Sequence, residues 1–339
     1  MRYMVGRITK RVAQAILTVY VVISLTFGMI RLMPGGPMDY LRGQLIQSSS
    51  GDVNMQQINR LVEVYTNVNP DKPVWQQYID YVVSTVSGDL GRSIIYSEPV
   101  ADILANALPW TLLLMVTSIT LTFVLGVSLG AVMAYNEGEL IDVGTTLNGI
   151  FLNSVPYYVA GILLVYVLGY QLGWFPTGGR MTSGTTVGFN YPFLAGALHH
   201  AALPIMSLVI TGFGGWALSM RGNSIRILGE DYLRVAQLRG LPSRRISLWY
   251  VGRNAILPMY TGLMISIGFV FGGSVILEQI FRYPGVGYYL YQSIGARDYP
   301  LMMGGFLIIT ITVAIGVFIA DATYGFIDPR AGGGDHESY

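Results

Sequence analysis

From Leu108 to Tyr135 the chain carries no Asp, Glu, Lys, Arg or His. That run exceeds the roughly 20 helical residues needed to cross the hydrocarbon core of a bilayer. Five more apolar segments follow, with Asp142 the one such residue among them: Val12–Ile30, Ile141–Tyr170, Ala201–Met220, Ile256–Leu277 and Leu301–Ala320. With no water at that depth, backbone groups must be paired in helices or closed barrels, and uninterrupted apolar runs of this length suit helices, since a membrane strand needs only about 9–11 residues. The expected fold is therefore an all-α, polytopic membrane protein with six transmembrane helices. Composition supports this, since 12% of the 339 residues are charged, against roughly a quarter in soluble domains. Val12–Ile30 is longer than a signal-peptide core of roughly 7–15 residues and lacks a small-residue cleavage site, so it reads as a retained first helix.

The basic residues give a polarity. Twelve of the 20 Lys and Arg fall at Arg2, Arg7, Lys10 and Arg11, at seven positions between Arg221 and Pro258, and at Arg330. Positive charge is retained on the cytoplasmic side, so both termini are expected inside and the protein multi-pass in the cell membrane. An even number of spans agrees. Residues 38–107 then lie outside. QQINRLVEVY and PVWQQYIDYVVSTV within them suggest two or three amphipathic helices in a small external subdomain. The expected organisation is 1–30 as N-terminal segment and first helix, 31–107 as external subdomain, 108–330 as a five-helix core, and 331–339 as a disordered tail.

Several function classes are excluded or weakened. The two lysines, Lys10 and Lys72, follow Thr9 and Asp71, whereas a Walker A loop needs Gly immediately before its Lys. If transport is ATP-driven, another polypeptide is the ATPase. The chain has no cysteine, hence no disulfide and no thiolate metal site. His199-His200 point in different directions on a helix and have no carboxylate or third His beside them. They read as interfacial polar residues, and no metal or cofactor is expected. A net charge of +1 makes no case for nucleic acid. No nucleophile–base constellation marks an enzyme. A secondary transporter would place ionisable residues at mid-membrane, and the span centres have none; a channel survives on composition. Gly144, Gly149, Asn153, Ser154 and Pro156 make the third span less apolar than the second. They allow close packing and bending, or the lining of a passage. Thr111, Asn153, Ser154 and Pro156 are the pathway candidates.

The segment Arg221–Pro258 holds seven arginines between two spans. Asp231–Arg239 reads as a short helix: Glu230 and Asp231 suit its N-terminus, and Arg239 its C-terminal end. Gly240-Leu241-Pro242 stops it, because Gly takes a left-handed C-cap and Pro cannot continue. Leu233, Val235, Ala236 and Leu238 give it more apolar surface than a solvated loop needs. Two readings stand: a helix lying on lipid headgroups, or a docking helix for a soluble partner.

DYLRVAQLRG followed by RNAILP resembles the ATPase-coupling loop of ABC importer permeases, in particular the B-type membrane subunits of dipeptide, oligopeptide and nickel uptake systems. Asp231, Tyr232, Ala236, Gly240, Arg253, Asn254 and Pro258 match the pattern; Gln237, Leu238 and Tyr250 depart from it. The resemblance extends to MPGGP (33–37), DKPVWQQYIDYV, GDLGRS (88–93), GWFPTGG (173–179), Gly272–Gly305 and Ile327-Asp328-Pro329-Arg330. It implies a type I importer permease fold and one half of a translocation pathway. The implied partners are a second permease subunit, two ATPase subunits, an external solute-binding protein and the lipid bilayer. It further implies that Glu230, Asp231, Tyr232, Leu233, Arg234, Val235, Ala236, Gln237, Leu238, Arg239, Gly240, Leu241 and Pro242 form the ATPase-docking segment. Peptides are the substrate the resemblance favours, with oligosaccharides and nickel as alternatives.

Overall fold

A computed structural model describes residues 2–32, 39–41, 43, 46, 55–242 and 245–327. The MPGGP turn, Arg244, Asp328-Pro329-Arg330 and the tail fall outside the described residues. The chain is helical: α1 (Arg2–Leu32), α2 (Met55–Thr66), α3 (Val74–Val86), α4 (Val100–Tyr135), α5 (Leu140–Ser154), α6 (Tyr157–Leu164), α7 (Tyr191–Leu228), α8 (Asp231–Leu238), α9 (Arg253–Ile280), α10 (Val286–Ala296) and α11 (Tyr299–Ile327). Two π-helical turns, Val165–Gln171 and Ile246–Gly252, continue α6 and precede α9.

Among the described residues four helices are long and apolar enough to cross a membrane: Arg11–Arg31 of α1, α4, α7, and Tyr299–Ile319 of α11. A fifth crossing is made if the bent pair α5 and α6 counts as one. The remaining expected span coincides with α9, a helix of 28 residues, some of whose side chains lie outside the described set. Two helices run well past their expected spans. α7 has 38 residues, about 57 Å at 1.5 Å each, because Asn190 caps it eleven residues before Ala201. The Asn190 side chain accepts from Phe193 N at 3.0 Å, and Pro192 sits in the first turn. α4 begins at Val100 and continues unbroken through Leu108, where the sequence suggests a boundary.

The third expected span is not one helix. α5 and α6 meet at 93°. Val155 is extended (φ −85°, ψ 122°), as a residue before proline prefers, and Pro156 has no N–H to continue the ladder.

The chain divides into two compact units, one of 1–111, 274–279 and 284–318, the other of 112–273, 280–283 and 319–339. In the first, Ile23, Phe27 and Ile30 of α1 pack with Val62 of α2, Tyr81 of α3, and Met303 and Leu307 of α11. A second cluster joins Val100, Leu104 and Ala107 to Val286 and Leu301. Asp298 ties the turn before α11 to the 93–97 loop, accepting from Ser93 Oγ and from Ile95 N at 3.1 Å. Beyond α3's N-terminus Lys72 Nζ donates to Asp80 at 2.7 Å, and this carboxylate raises the lysine pKa above its ordinary value.

In the second unit small residues bring helices together. A Cβ on Gly214 of α7 would run into the backbone of Gly149 of α5, and one on Gly130 of α4 into Ala217 and Met220 of α7. This is the close approach that small residues permit inside membranes. Gly144, grouped with Gly149 in the sequence, has nothing within 4 Å of an added Cβ.

Candidate functional site

The arginine-rich segment takes its shape from local rules. α7 ends at Leu228; Glu230, extended at φ −78° and ψ 140°, turns the chain into α8. Asp231 occupies the first turn, where a carboxylate complements the helix dipole. At the other end Gly240 N–H donates to Gln237 O at 2.9 Å and Leu241 N–H to Ala236 O at 3.3 Å. That pair of bonds is a Schellman motif, which needs a left-handed residue at its turn. Gly240 supplies it at φ 70°. An added Cβ there meets nothing within 4 Å, so the demand for glycine is conformational and not steric.

The four apolar residues of α8 divide into two faces. Leu233 and Ala236 are buried, 1% and 4% exposed, against Ile246 and Val251, with Ile227, Leu241 and Tyr250 packed around them. Val235 and Leu238 point away, 50% and 84% exposed, beside Tyr232 at 41%. Read as one set in the sequence, they are half seat and half outward surface. Asp231, Arg234, Gln237 and Arg239 are exposed around that surface. Asn254 ties α8 to α9: its Nδ2 donates to Tyr250 O at 2.7 Å and to the Tyr232 hydroxyl at 3.3 Å. Tyr232 and Asn254, matched separately to the family pattern, thus meet. Gly229, Glu230, Pro242, Arg253 and Pro258 are exposed.

Upstream, Arg221 holds Asp142 of α5 through two hydrogen bonds, Nε to Oδ1 at 2.5 Å and the terminal nitrogen to Oδ2 at 2.7 Å. Asp142 also accepts from Gly138 N at 2.9 Å. Its side chain is 3% exposed, and such a buried carboxylate needs a partner. The pair fixes the α4–α5 hairpin to the last turns of α7, ahead of α8. Sequence reading missed it because the partners are 79 residues apart. The available signal was an acid two residues inside an apolar segment, which by default has a partner.

The pathway candidates separate. Asn153, Ser154 and Pro156 are exposed at the α5–α6 break. Thr111 is buried in the other unit: its hydroxyl donates to Glu278 Oε1 at 2.7 Å and accepts from Val286 N at 2.9 Å. Glu278, itself fully buried, accepts from Tyr288 N at 2.9 Å through its other oxygen. Gly285 and Gly287 leave room for this carboxylate, since a Cβ on either would press on Glu278. Thr111 is thereby a structural tie between α4, α9 and the turn into α10, and its hydroxyl is occupied. The histidines are tied too: His199 Nε2 lies 2.9 Å from Trp174 O and His200 Nδ1 2.9 Å from Gly178 O. Among the described residues no three His, Asp or Glu gather as for a metal ion.

Residues 126–333 match the model of the binding-protein-dependent transport system inner membrane component family. The chain is similar to the oligopeptide transport system permease protein AppB of Bacillus subtilis, 32% identical over 96% of this chain and 99% of that protein. It is 30% identical to the di/tripeptide transport system permease protein DppB of Pseudomonas aeruginosa, over 96% of this chain and 98% of that one. To the glutathione transport system permease protein GsiC of Escherichia coli K12 the identity is 28%, over 96% and 98%.

Proposed function

The chain belongs to the family of binding-protein-dependent transport system inner membrane components, and from that membership we propose that it is a permease subunit of an ATP-driven peptide importer. The observation that carries the reading is the seating of α8. Leu233 and Ala236 anchor the helix to its own chain, the Schellman turn fixes its end, and Tyr232, Val235 and Leu238 are left outward in a rim of charge. An amphipathic helix presented on a rigid base suits a groove on a soluble partner. Neither lysine of the chain follows the glycine that a Walker A loop needs, which supports leaving ATP hydrolysis to that partner.

In this proposal two ATPase subunits, a second permease subunit and an external solute-binding protein complete the transporter. Both termini are cytoplasmic, and the six spans are α1, α4, the bent pair α5–α6, α7, α9 and α11. Movement of α8 with the ATPases reaches α5 through the Arg221–Asp142 pair. Asn153, Ser154 and Pro156 are the pathway candidates retained; Thr111 is left out because its hydroxyl is already bonded on both sides. Peptides are the proposed cargo, since the relatives above are named for oligopeptide, di/tripeptide and glutathione transport.

The test is co-expression with the ATPase, second permease and binding-protein genes of its own genomic neighbourhood, followed by reconstitution in vesicles. ATP-dependent uptake of a labelled short peptide is expected, together with ATPases retained on purification. A chain that hydrolyses ATP alone, or an assembly that moves no peptide, overturns the proposal.

A further inference from the structure

α3 has three faces. Gln77, Tyr81 and Thr85 are buried, Gln76, Asp80, Ser84 and Ser87 form a polar flank, and Trp75, Ile79, Val83 and Val86 form an exposed apolar flank. The apolar flank, with the half-buried Val82 beside it, covers an arc of about 100°, the width of a face that is normally covered. In a water-exposed external subdomain that flank has no explanation.

The buried face fixes its depth. Tyr78 OH hydrogen-bonds to Ser24 Oγ and to Tyr20 OH, each at 2.8 Å, and Tyr81 OH donates to Thr26 at 3.1 Å. Tyr20, Ser24 and Thr26 all lie inside the Arg11–Arg31 span. α3 is therefore bolted to a membrane-crossing helix from its middle into its C-terminal half, 9 to 15 residues beyond Arg11, about 14–22 Å along it at 1.5 Å per residue. Beside α3 is a cavity of about 480 Å³ walled by side chains such as Val12, Ile16 and Val19 of α1, Val86 of α3, and Ile315 and Phe318 of α11. Its walls on α1 and α11 belong to membrane-crossing stretches, and its lining is apolar apart from the Tyr20 hydroxyl. Hydrocarbon is what fills such a space at that depth.

We infer that α3 is a lipid-embedded interfacial helix: its Trp75–Val86 flank and the groove beside it are covered by phospholipid acyl chains, and its polar flank faces water. Trp75 at the start of the flank fits the preference of indole for the membrane interface, and amphipathic helices of this kind sit about 5–10 Å into the headgroup–acyl boundary. The inference needs only that α1 and α11 cross the membrane. It is independent of the docking role of α8.

The cysteine-free chain allows single nitroxides at Ile79→Cys, Val83→Cys, Ser84→Cys and Ser87→Cys in the assembled transporter, reconstituted in phosphatidylethanolamine–phosphatidylglycerol vesicles. Relaxation by oxygen, which concentrates in hydrocarbon, is compared with relaxation by water-soluble nickel chelate. Labels at 79 and 83 are expected to be reached several-fold better by oxygen than by nickel, and labels at 84 and 87 the reverse. Equal access of nickel to all four overturns the inference in favour of water. Poor access of both reagents to 79 and 83 overturns it in favour of a protein partner.

Discussion

α8 and α3 are both short amphipathic helices with one face buried and an apolar face left outward, and they differ in what holds the buried face. α3 is held by Tyr20, Ser24 and Thr26, which lie within a membrane span. α8 is held by Ile246, Val251 and the end of α7, in a segment rich in arginine that the proposed topology puts in water on the cytoplasmic side. On the two proposals above, the same outward pattern meets hydrocarbon in one case and a protein partner in the other. The anchor, more than the helix, decides what an amphipathic face is for.

The broadest way to break this contrast is all-or-none. Ser87→Cys, beyond α3, should react with impermeant thiol reagents only from outside the cell, and Glu139→Cys, in the α4–α5 turn, only after the inner face is opened. Both side chains are exposed. Labelling of either from the wrong side reverses the polarity on which the contrast stands.

Next in size is a charge on each outward face. Truncating or charging a central interface anchor costs about 2–4 kcal/mol, some 30- to 1,000-fold. Leu238→Asp should therefore cut ATP-driven uptake by at least about 30-fold and strip the ATPases during purification, with membrane abundance unchanged. Val83→Asp on α3 should keep the ATPases bound. If the two variants behave alike, the faces are not doing different jobs.

How much of this was legible beforehand follows from how local each feature is. The limits of α8 were readable because Asp231, Gly240 and Pro242 act on their own neighbours. Its division into Leu233/Ala236 and Val235/Leu238 was not, since an eight-residue helix carries no mark of which apolar pair meets Ile246 and Val251. Pro156 marks the break in the third span, but a proline does not by itself specify the 93° angle found there. QQINRLVEVY and PVWQQYIDYVVSTV carry the amphipathic pattern of α2 and α3, but nothing local marks the attachment of α3 to α1, because Tyr78 and Ser24 are 54 residues apart.

Gly240 gives a smaller, graded test. Its φ of 70° lies where L side chains are strained, by about 1–3 kcal/mol for a β-branched residue, while an added Cβ meets no neighbour. Gly240→Val should sharply reduce uptake and ATPase co-purification at normal abundance. Gly240→Asn should stay close to wild type, because Asn tolerates the left-handed region. Full uptake by the Val variant would mean that the end of α8 need not be fixed, and the docking reading would go with it.

The smallest effect probes the attachment of α3. Tyr81 OH donates to Thr26 Oγ1 at 3.1 Å in a buried setting, and a net hydrogen bond of this kind is worth about 0.5–1.5 kcal/mol. Neither single change isolates it. Thr26→Val also removes the bond of its hydroxyl to Ile23 O at 2.8 Å, and Tyr81→Phe relieves a buried phenol whose pKa burial has raised. A double-mutant cycle removes those private contributions and leaves the coupling. Tyr81→Phe and Thr26→Val should couple by about 0.5–1 kcal/mol in the opening free energy of α3, read as the reactivity of Gln77→Cys, at a buried position of the same helix, toward a membrane-permeant thiol reagent. No coupling, with each single variant measurably destabilising, would mean that α3 is not bolted to the span at this point. The depth assigned to its apolar flank would then lose its support, while α8 would keep its seat.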